Sequence, residues 1–208
     1  MRFLDSVSPV KSKIPALLDV GCGIGVFLEA AKKQNWSVFG VEISENARKQ
    51  AEKRLNQPVF EKLEELPDAQ KFDGISLFHV LEHLPDPKAT LEVLFEKALP
   101  GSPLILALPN YESWDCRHYD TYWAAWDVPI HFWHFRKTDV QKLAESTGWE
   151  LDSIHPMPLD AYYVSLLSES FKTGRKRWAA ATLKGFWSNL KGGKKNTSSL
   201  IYVLRKPS

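Results

Sequence analysis

The 208-residue sequence predicts an α/β fold, a mostly parallel sheet with helices on both faces. Three observations predict it. Short apolar runs alternate with stretches of helical period along most of the chain. The first run ends in a glycine turn that opens a helix. The second run ends in an acid about twenty residues further on. The length suits one domain with a substantial core, and 44% hydrophobic with 25% charged residues is the composition of a globular protein. The expected domain spans 1–208, with an aromatic, lid-like segment at 110–136 and a basic helical insertion at 157–197.

The elements follow in order. Ala16–Gly21 is an apolar run ending in glycine, as buried parallel strands do. Gly25 to Gln34 reads as a helix with Val26, Phe27, Ala30 and Ala31 inward. Ser37–Ile43 is a second strand, and Ser44 is the N-cap of a helix through about Leu55. Val59–Lys62 is a weak third strand and Phe72–His79 a strong fourth. Pro87 to Leu99 is helical and closed by Pro100-Gly101. Pro103–Leu108 is a fifth strand, its proline tolerable at a strand start. Thr138 to Thr147 is a helix stopped by Gly148. Trp149–His155 and Ser198–Leu204 are the sixth and seventh strands. Lys191 to Ser199, rich in Lys, Gly, Asn, Ser and Thr, is expected to be mobile.

Composition excludes several classes. No stretch approaches the roughly 20 apolar residues of a membrane span, and Met1 to Pro15 carries no apolar run to act as a signal peptide. Cys22 and Cys116 stand in dissimilar contexts and indicate neither a disulfide framework nor a zinc site. A reducing, cytoplasmic setting is the simplest expectation. Charge is uneven: ten lysines and arginines and no acid follow Glu169, leaving 17 basic against 25 acidic residues up to and including it, a net −8. A basic tail on an acidic body speaks to partners rather than to fold.

The segment Leu18-Asp19-Val20-Gly21-Cys22-Gly23-Ile24-Gly25 carries the most information. Glycines between a strand and a helix let backbone N–H groups approach a ligand at the helix N-terminus. Their spacing is G-x-G-x-G, with Val26 where the dinucleotide fingerprint would have its last glycine. Glu42 ends the next strand, where a carboxylate can accept ribose hydroxyls. The plainer alternative is a tight turn and a surface acid.

This segment resembles the glycine-rich first motif of class I S-adenosylmethionine-dependent methyltransferases, and Val41-Glu42-Ile43-Ser44 resembles their acidic second motif. Phe72 to Asp86, with Phe78-His79-Val80-Leu81-Glu82-His83-Leu84 at its centre, resembles the fourth-strand motif of the small-molecule branch. The likeness runs from about 16 to 155. It implies a Rossmann-like seven-stranded sheet in the order 3-2-1-4-5-7-6, strand seven antiparallel, and S-adenosylmethionine as cofactor. Gly21, Cys22, Gly23 and Gly25 would form the turn under its methionine part, with Asp19 bracing the turn or meeting the amino group. Glu42 would bind the ribose, Ile43 would pack on the adenine, and Leu63 with its neighbours would contact the adenine edge. Phe78 and His79 would lie near the methionine and sulfonium. Only about fifteen residues precede the first strand, where many relatives carry helices that cap the cofactor.

Methyl transfer from a sulfonium is an in-line displacement whose reactivity the cofactor supplies. A base is needed only where the acceptor must lose a proton. His79, His83, His131 and His134 are the candidates, because histidine titrates near neutral pH. His131 and His79 are the expected catalytic pair. His131 sits where a histidine followed by an aromatic borders the substrate pocket of relatives. His83 is as readily a residue that holds its loop. No metal is expected, since no third ligand stands at suitable spacing from these histidines.

Nine of the 25 residues from 111 to 135 are aromatic. Tyr111, Trp114, Trp126, His131 and His134 are the expected substrate-pocket residues, the alternative being a satellite core under a long loop. Between strands six and seven, Tyr162 to Phe171 and Arg175 to Leu190 read as helices. The second mixes Trp178, Leu183, Phe186, Trp187 and Leu190 with Lys and Arg. Such a basic amphipathic helix, 175–190, can meet an anionic membrane or a lipid-like substrate, or simply pack on its own domain. The nucleic-acid signal is thin. The expected function is methyl transfer to a small-molecule acceptor at O, N or C. A non-catalytic cofactor-binding module and an NAD-linked oxidoreductase are the alternatives.

Overall fold

The computed structural model describes residues 14–175, 177–193 and 196–208. The stretch read for a signal peptide lies almost wholly outside the described residues. So do Lys176 of the basic helix and Lys194 and Lys195 of the stretch expected to be mobile.

Strand β1 (Ala16–Val20) is buried along its whole length, and its side chains alternate between two cores. Leu17 joins Leu28, Ala31, Ala51 and Leu55 on one face. Leu18 and Val20 join Leu91, Leu94, Val140 and Ala144 on the other. The first face is covered by α1 (Val26–Lys32) and α2 (Glu45–Leu55), the second by α3 (Pro87–Lys97) and α5 (Lys137–Ser146). Polar caps set the helix starts. Ser44 Oγ accepts the Ala47 N–H at 3.5 Å, and Asp86 Oδ1 accepts that of Ala89 at 2.9 Å with Pro87 beginning the helix. In α1 the inward residues are Leu28 and Ala31, whereas Val26 is exposed, so the expected inner face is rotated.

The remaining strands are β2 (Ser37–Val41), β3 (Gly74–Phe78), β4 (Pro103–Pro109), β5 (Glu150–Pro156) and β6 (Ser199–Arg205). They form one sheet in the order β2-β1-β3-β4-β6-β5. The first four are parallel, and β6 runs antiparallel to both β4 and β5. This is the expected order without its outermost strand. Val59–Lys62 is reduced to a single parallel bridge between Val41 and Phe60. The run is short, follows Pro58 and turns charged at Glu61, and the chain bends into a 3-10 turn at Leu63–Glu65. Among the described residues the fold is thus a Rossmann-like sheet of six strands with helices on both faces.

The aromatic segment folds into α4 (Trp114–Tyr119) and two 3-10 turns, Asp120–Tyr122 and Ala124–Trp126. Tyr119 and Trp123 are buried with Cys116, Ala124, Ala125 and Val164 in a third core, so part of the segment is satellite core. The insertion forms α6 (Asp160–Thr173) and α7 (Trp178–Gly192), each starting near its expected position. Small residues let them approach: a Cβ on Gly185 would lie 2.7 Å from Tyr162 Cδ1. Asp115, fully buried, ties the unit together by accepting from Trp123 Nε1 (2.9 Å), Ser188 Oγ (2.7 Å) and Ser198 Oγ (2.6 Å).

Candidate functional site

The carboxyl ends of the parallel strands meet where β1 lies between β2 and β3, the switch point at which open α/β sheets form a crevice. The glycine turn leaves β1 there. Gly21 adopts φ 70° and donates to Val41 O at 2.7 Å. A Cβ on Gly21 would stand 2.3 Å from Val80 Cγ2, so the turn needs glycine for its conformation and for its close approach. Gly23 donates to Glu42 Oε2 at 2.9 Å, and Glu42 Oε1 accepts the Ser44 N–H at 2.8 Å. The opposite side of Gly23 is open, since a Cβ there would meet nothing within 4 Å.

Below the turn, Asp19 Oδ1 accepts from Ser76 Oγ at 2.6 Å. Burial pushes the Asp19 carboxyl up to about 7, Ser76 pulls it down, and the nearby Glu42 charge pushes it up again. The Cys22 thiol is pushed up to about 12 by burial and by the charges of Asp19 and Glu42, which makes it an inert packing group. A cavity of about 550 Å³ opens here, bounded by Asp19, Gly21, Cys22, Gly23, Phe27 and Phe78 among others. No lysine or arginine lines it among the described residues. Gly25 caps α1 at the edge of the turn. Glu42, Ile43 and Leu63 are not among its walls; Ile43 is 79% exposed, and Leu63 begins the 3-10 turn after the bridge.

Phe78 ends β3 and His79 follows it directly, yet the two line different cavities. Phe78 faces the glycine turn, and His79 lines a second cavity of about 370 Å³ with Ala125, Asp127, His131, Asp160 and Val164. His79 holds φ 55°, an uncommon backbone for a side-chain-bearing residue, and donates its N–H to Ala107 O at 3.0 Å. Its Nδ1 lies 3.3 Å from Glu82 Oε1. Burial depresses the imidazole, but the Glu82 and Asp160 carboxylates outweigh it and leave His79 above its ordinary value. Burial holds His131 below the ordinary histidine value despite the Ala125 carbonyl and the Glu82 charge.

Of the five expected pocket residues, only His131 lines this cavity. Tyr111 lies against Trp126 with ring centres 6.1 Å apart, and Trp114 stacks on His118 at 4.6 Å. Trp126 Nε1 donates to Asp120 O, and its own carbonyl meets His134 Nε2 at 2.8 Å. Trp126 instead borders a shallow neighbouring cavity, and His134 lines another beside α3. Sequence reasoning missed Glu82, Asp127 and the α6 residues Asp160, Tyr163 and Val164. A carboxylate in the apolar Leu81-Glu82-His83-Leu84 turn was the available signal for Glu82. The α6 residues carried none, because nothing local shows that α6 packs against α4 and the 3-10 turns that follow it.

The profile of the methyltransferase-domain family matches residues 1–154. A ubiquinone biosynthesis O-methyltransferase from Coxiella burnetii (strain Dugway 5J108-111) is 31% identical over 117 residues, which is 53% of this chain and 49% of that protein. One from Idiomarina loihiensis is 33% identical over 109 residues, 47% of this chain and 44% of that protein. The chain thus spans about half the length of these relatives. Among solved structures, a SAM-dependent methyltransferase from Archaeoglobus fulgidus aligns with 99% of this chain and 90% of its own at TM-score 0.64 and 21% identity. Magnesium protoporphyrin IX methyltransferase from Synechocystis PCC 6803, with bound SAH, aligns with 99% and 82% at TM-score 0.61 and 17% identity. At these identities the likeness is one of fold.

Proposed function

We infer that this chain, which belongs to the methyltransferase-domain family, transfers a methyl group from S-adenosylmethionine to a small-molecule acceptor. One observation carries the reading: the end of β3 presents Phe78 to one cavity and His79 to the other, so donor and acceptor can meet across two adjacent residues. The first cavity fits the cofactor. Among the described residues its walls hold a carboxyl and no basic side chain, which favours a ligand with ammonium and sulfonium charges over a dinucleotide with phosphates. Asp19, Gly21, Cys22, Gly23, Gly25 and Phe78 would hold the methionine side. Glu42, Ile43 and Leu63 would hold the nucleoside along the rim.

The bound cofactor supplies an activated methyl group. The chain's contribution is alignment, an effect that can supply up to roughly 7–11 kcal/mol of the barrier. His131 borders the acceptor, and His79 receives its proton where one must leave, with Glu82 beside Nδ1 to stabilise the imidazolium. The segments 110–136 and 157–197 belong to the same domain in this reading, and Ala124, Ala125, Asp127 and His131 of the first with Asp160, Tyr163 and Val164 of the second line the acceptor cavity. Its walls are mostly apolar apart from Asp127, Asp160 and the two histidines, which suits an apolar acceptor with one polar group. Lipid-like acceptors belong to this reading. Trp178, Leu183, Phe186, Trp187 and Leu190 of α7 are all exposed, an apolar set suited to a lipid surface, whereas Lys184 turns inward to pair with Glu169. No described helix is long and apolar enough to cross a membrane. We place the activity in the cytoplasm, where the buried thiols of Cys22 and Cys116 suit a reducing medium.

Calorimetric titration with S-adenosylmethionine and with NAD tests the reading. Micromolar binding of the first and none of the second supports it. A folded chain that binds neither would sink it.

A further inference from the structure

We propose that Glu82, His83 and His131 form a divalent-cation site, of zinc type, beside the acceptor cavity. Each offers a ligand atom, and the three atoms lie within 4.8 Å of one another. The chain brings them together from two places. Glu82 and His83 form one 3-10 turn after β3, and His131 arrives from the segment that follows the last 3-10 turn. The backbone fastens the two pieces, since Glu82 O accepts the N–H groups of Phe132 at 2.9 Å and Trp133 at 3.3 Å. Trp133 Nε1 adds a bond to Leu84 O at 2.8 Å.

Glu82 supplies the second, independent observation. Its side chain is 1% exposed, and neither carboxylate oxygen has a hydrogen-bond partner among the described residues. Its nearest charged neighbour is His79 Nδ1, 3.3 Å from Oε1, an ion pair only when that imidazole is protonated. A buried carboxylate without donors is unfavourable unless it pairs fully or coordinates a metal.

The imidazoles are arranged for ligation. His131 Nδ1 lies 2.9 Å from Ala125 O, and His83 Nδ1 lies 3.3 Å from Ile130 O. A carbonyl can only accept, so each Nδ1 carries the proton and each Nε2 keeps its lone pair. Metal-binding histidines are characteristically held this way, with the second nitrogen donating to a backbone carbonyl. The two rings meet edge to face at 4.6 Å. Zinc is bound at roughly 2.0–2.2 Å by imidazole and carboxylate, so small side-chain rotations would close the triad. Two imidazoles and one carboxylate with an open fourth position are a zinc donor set, whereas magnesium favours oxygen ligands. Spacing along the chain hides the triad, because 47 residues separate His83 from Ile130, the neighbour of the third ligand.

The open position would face the cavity that His79 and His131 line, where a cation would bind an acceptor hydroxyl and favour loss of its proton. That role rests on the methyl-transfer reading, but the metal site does not.

The full chain, freed of metal with a chelator and refilled with zinc sulfate, tests the proposal by calorimetry and thermal unfolding. One zinc per chain is expected, with a raised Tm. His131→Ala and Glu82→Gln are each expected to weaken zinc binding by about 100-fold or more, beyond the 10–100-fold typical of losing a supporting partner. His83→Asn serves as a third variant should Glu82→Gln fail to fold. No stoichiometric zinc on the folded chain would overturn the proposal, as would equal zinc affinity in the folded variants. Titration of the same proteins with S-adenosylmethionine keeps this outcome separate from failure of the methyl-transfer reading.

Discussion

Glu42 Oε2 accepts the backbone N–H of Gly23 at 2.9 Å, so the acid that ends β2 holds the glycine turn that ends β1. Its other oxygen holds the start of α2 through Ser44, and its carbonyl receives Arg48 Nη1 at 2.8 Å. The residue therefore shapes the loop before any ligand arrives. Each carboxylate oxygen keeps a lone pair for ribose hydroxyls. Glu42→Ala should weaken S-adenosylmethionine binding by at least about tenfold, or ~1.4 kcal/mol. It should also lower folding stability by about 1–2 kcal/mol, since two backbone donors lose their acceptor. Calorimetry and urea unfolding of one variant read both effects. Lost affinity with unchanged stability would mean that Glu42 acts on the ligand alone.

The contact between Gly21 and Val80 separates conformation from crowding. Gly21→Ala imposes a left-handed backbone on alanine, at about 1–2 kcal/mol, and drives a methyl into Val80. Val80→Ala removes the obstructing methyl groups. The double variant should therefore be more stable than the sum of the two single losses, by about 1 kcal/mol in a double-mutant cycle. Additive losses in urea unfolding would show that the turn shifts to avoid Val80.

How much was legible follows from range. The glycine turn, Glu42 and the ends of β1, β2 and β3 are local signals, and the strands end within two residues of their expected positions. Ser44 caps α2 for the same reason. The third expected strand had only Val59 and Phe60 to recommend it, and one bridge is what two apolar residues secured. The second cavity depends on tertiary packing. Tyr111, Trp114 and Trp126 are as aromatic as a pocket wall would be, but they pair with Trp126, His118 and Trp123 instead. Asp160 and Tyr163 reach the cavity because α6 packs against α4 and the 3-10 turns that follow it, and no local pattern encodes that return.

Asp19 gives a pH signature. Its folded carboxyl, raised to about 7 by burial, holds a proton that the unfolded chain releases near the ordinary value of 3.8. Between these values the folded state binds more protons, so its stability falls as pH rises, by up to about 1.4 kcal/mol per pH unit. The loss is complete once pH exceeds the folded value. Asp19→Asn should flatten this slope in urea unfolding between pH ~5 and ~7. A cationic cofactor favours the ionised carboxylate, so its affinity should rise over the same window in the parent chain and not in the variant. Parallel slopes in both proteins would remove Asp19 from the titration.

Asp115 tests what holds the insertion to the sheet. Its carboxylate joins α4, α7 and the approach to β6 through Trp123, Ser188 and Ser198. Asp115→Ala leaves three buried donors unpaired and should cost about 3 kcal/mol or more. Asp115→Asn keeps one acceptor oxygen but turns the other into a donor facing donors, and should also destabilise, by a smaller amount. Loss of this tie should free α7 before the sheet, because the two cores against the sheet contain no α7 residue. Limited proteolysis of Asp115→Ala should therefore cut first around α7, with β1 to β4 surviving as the resistant part. Even digestion along the chain would show instead that the third core and the sheet unfold together.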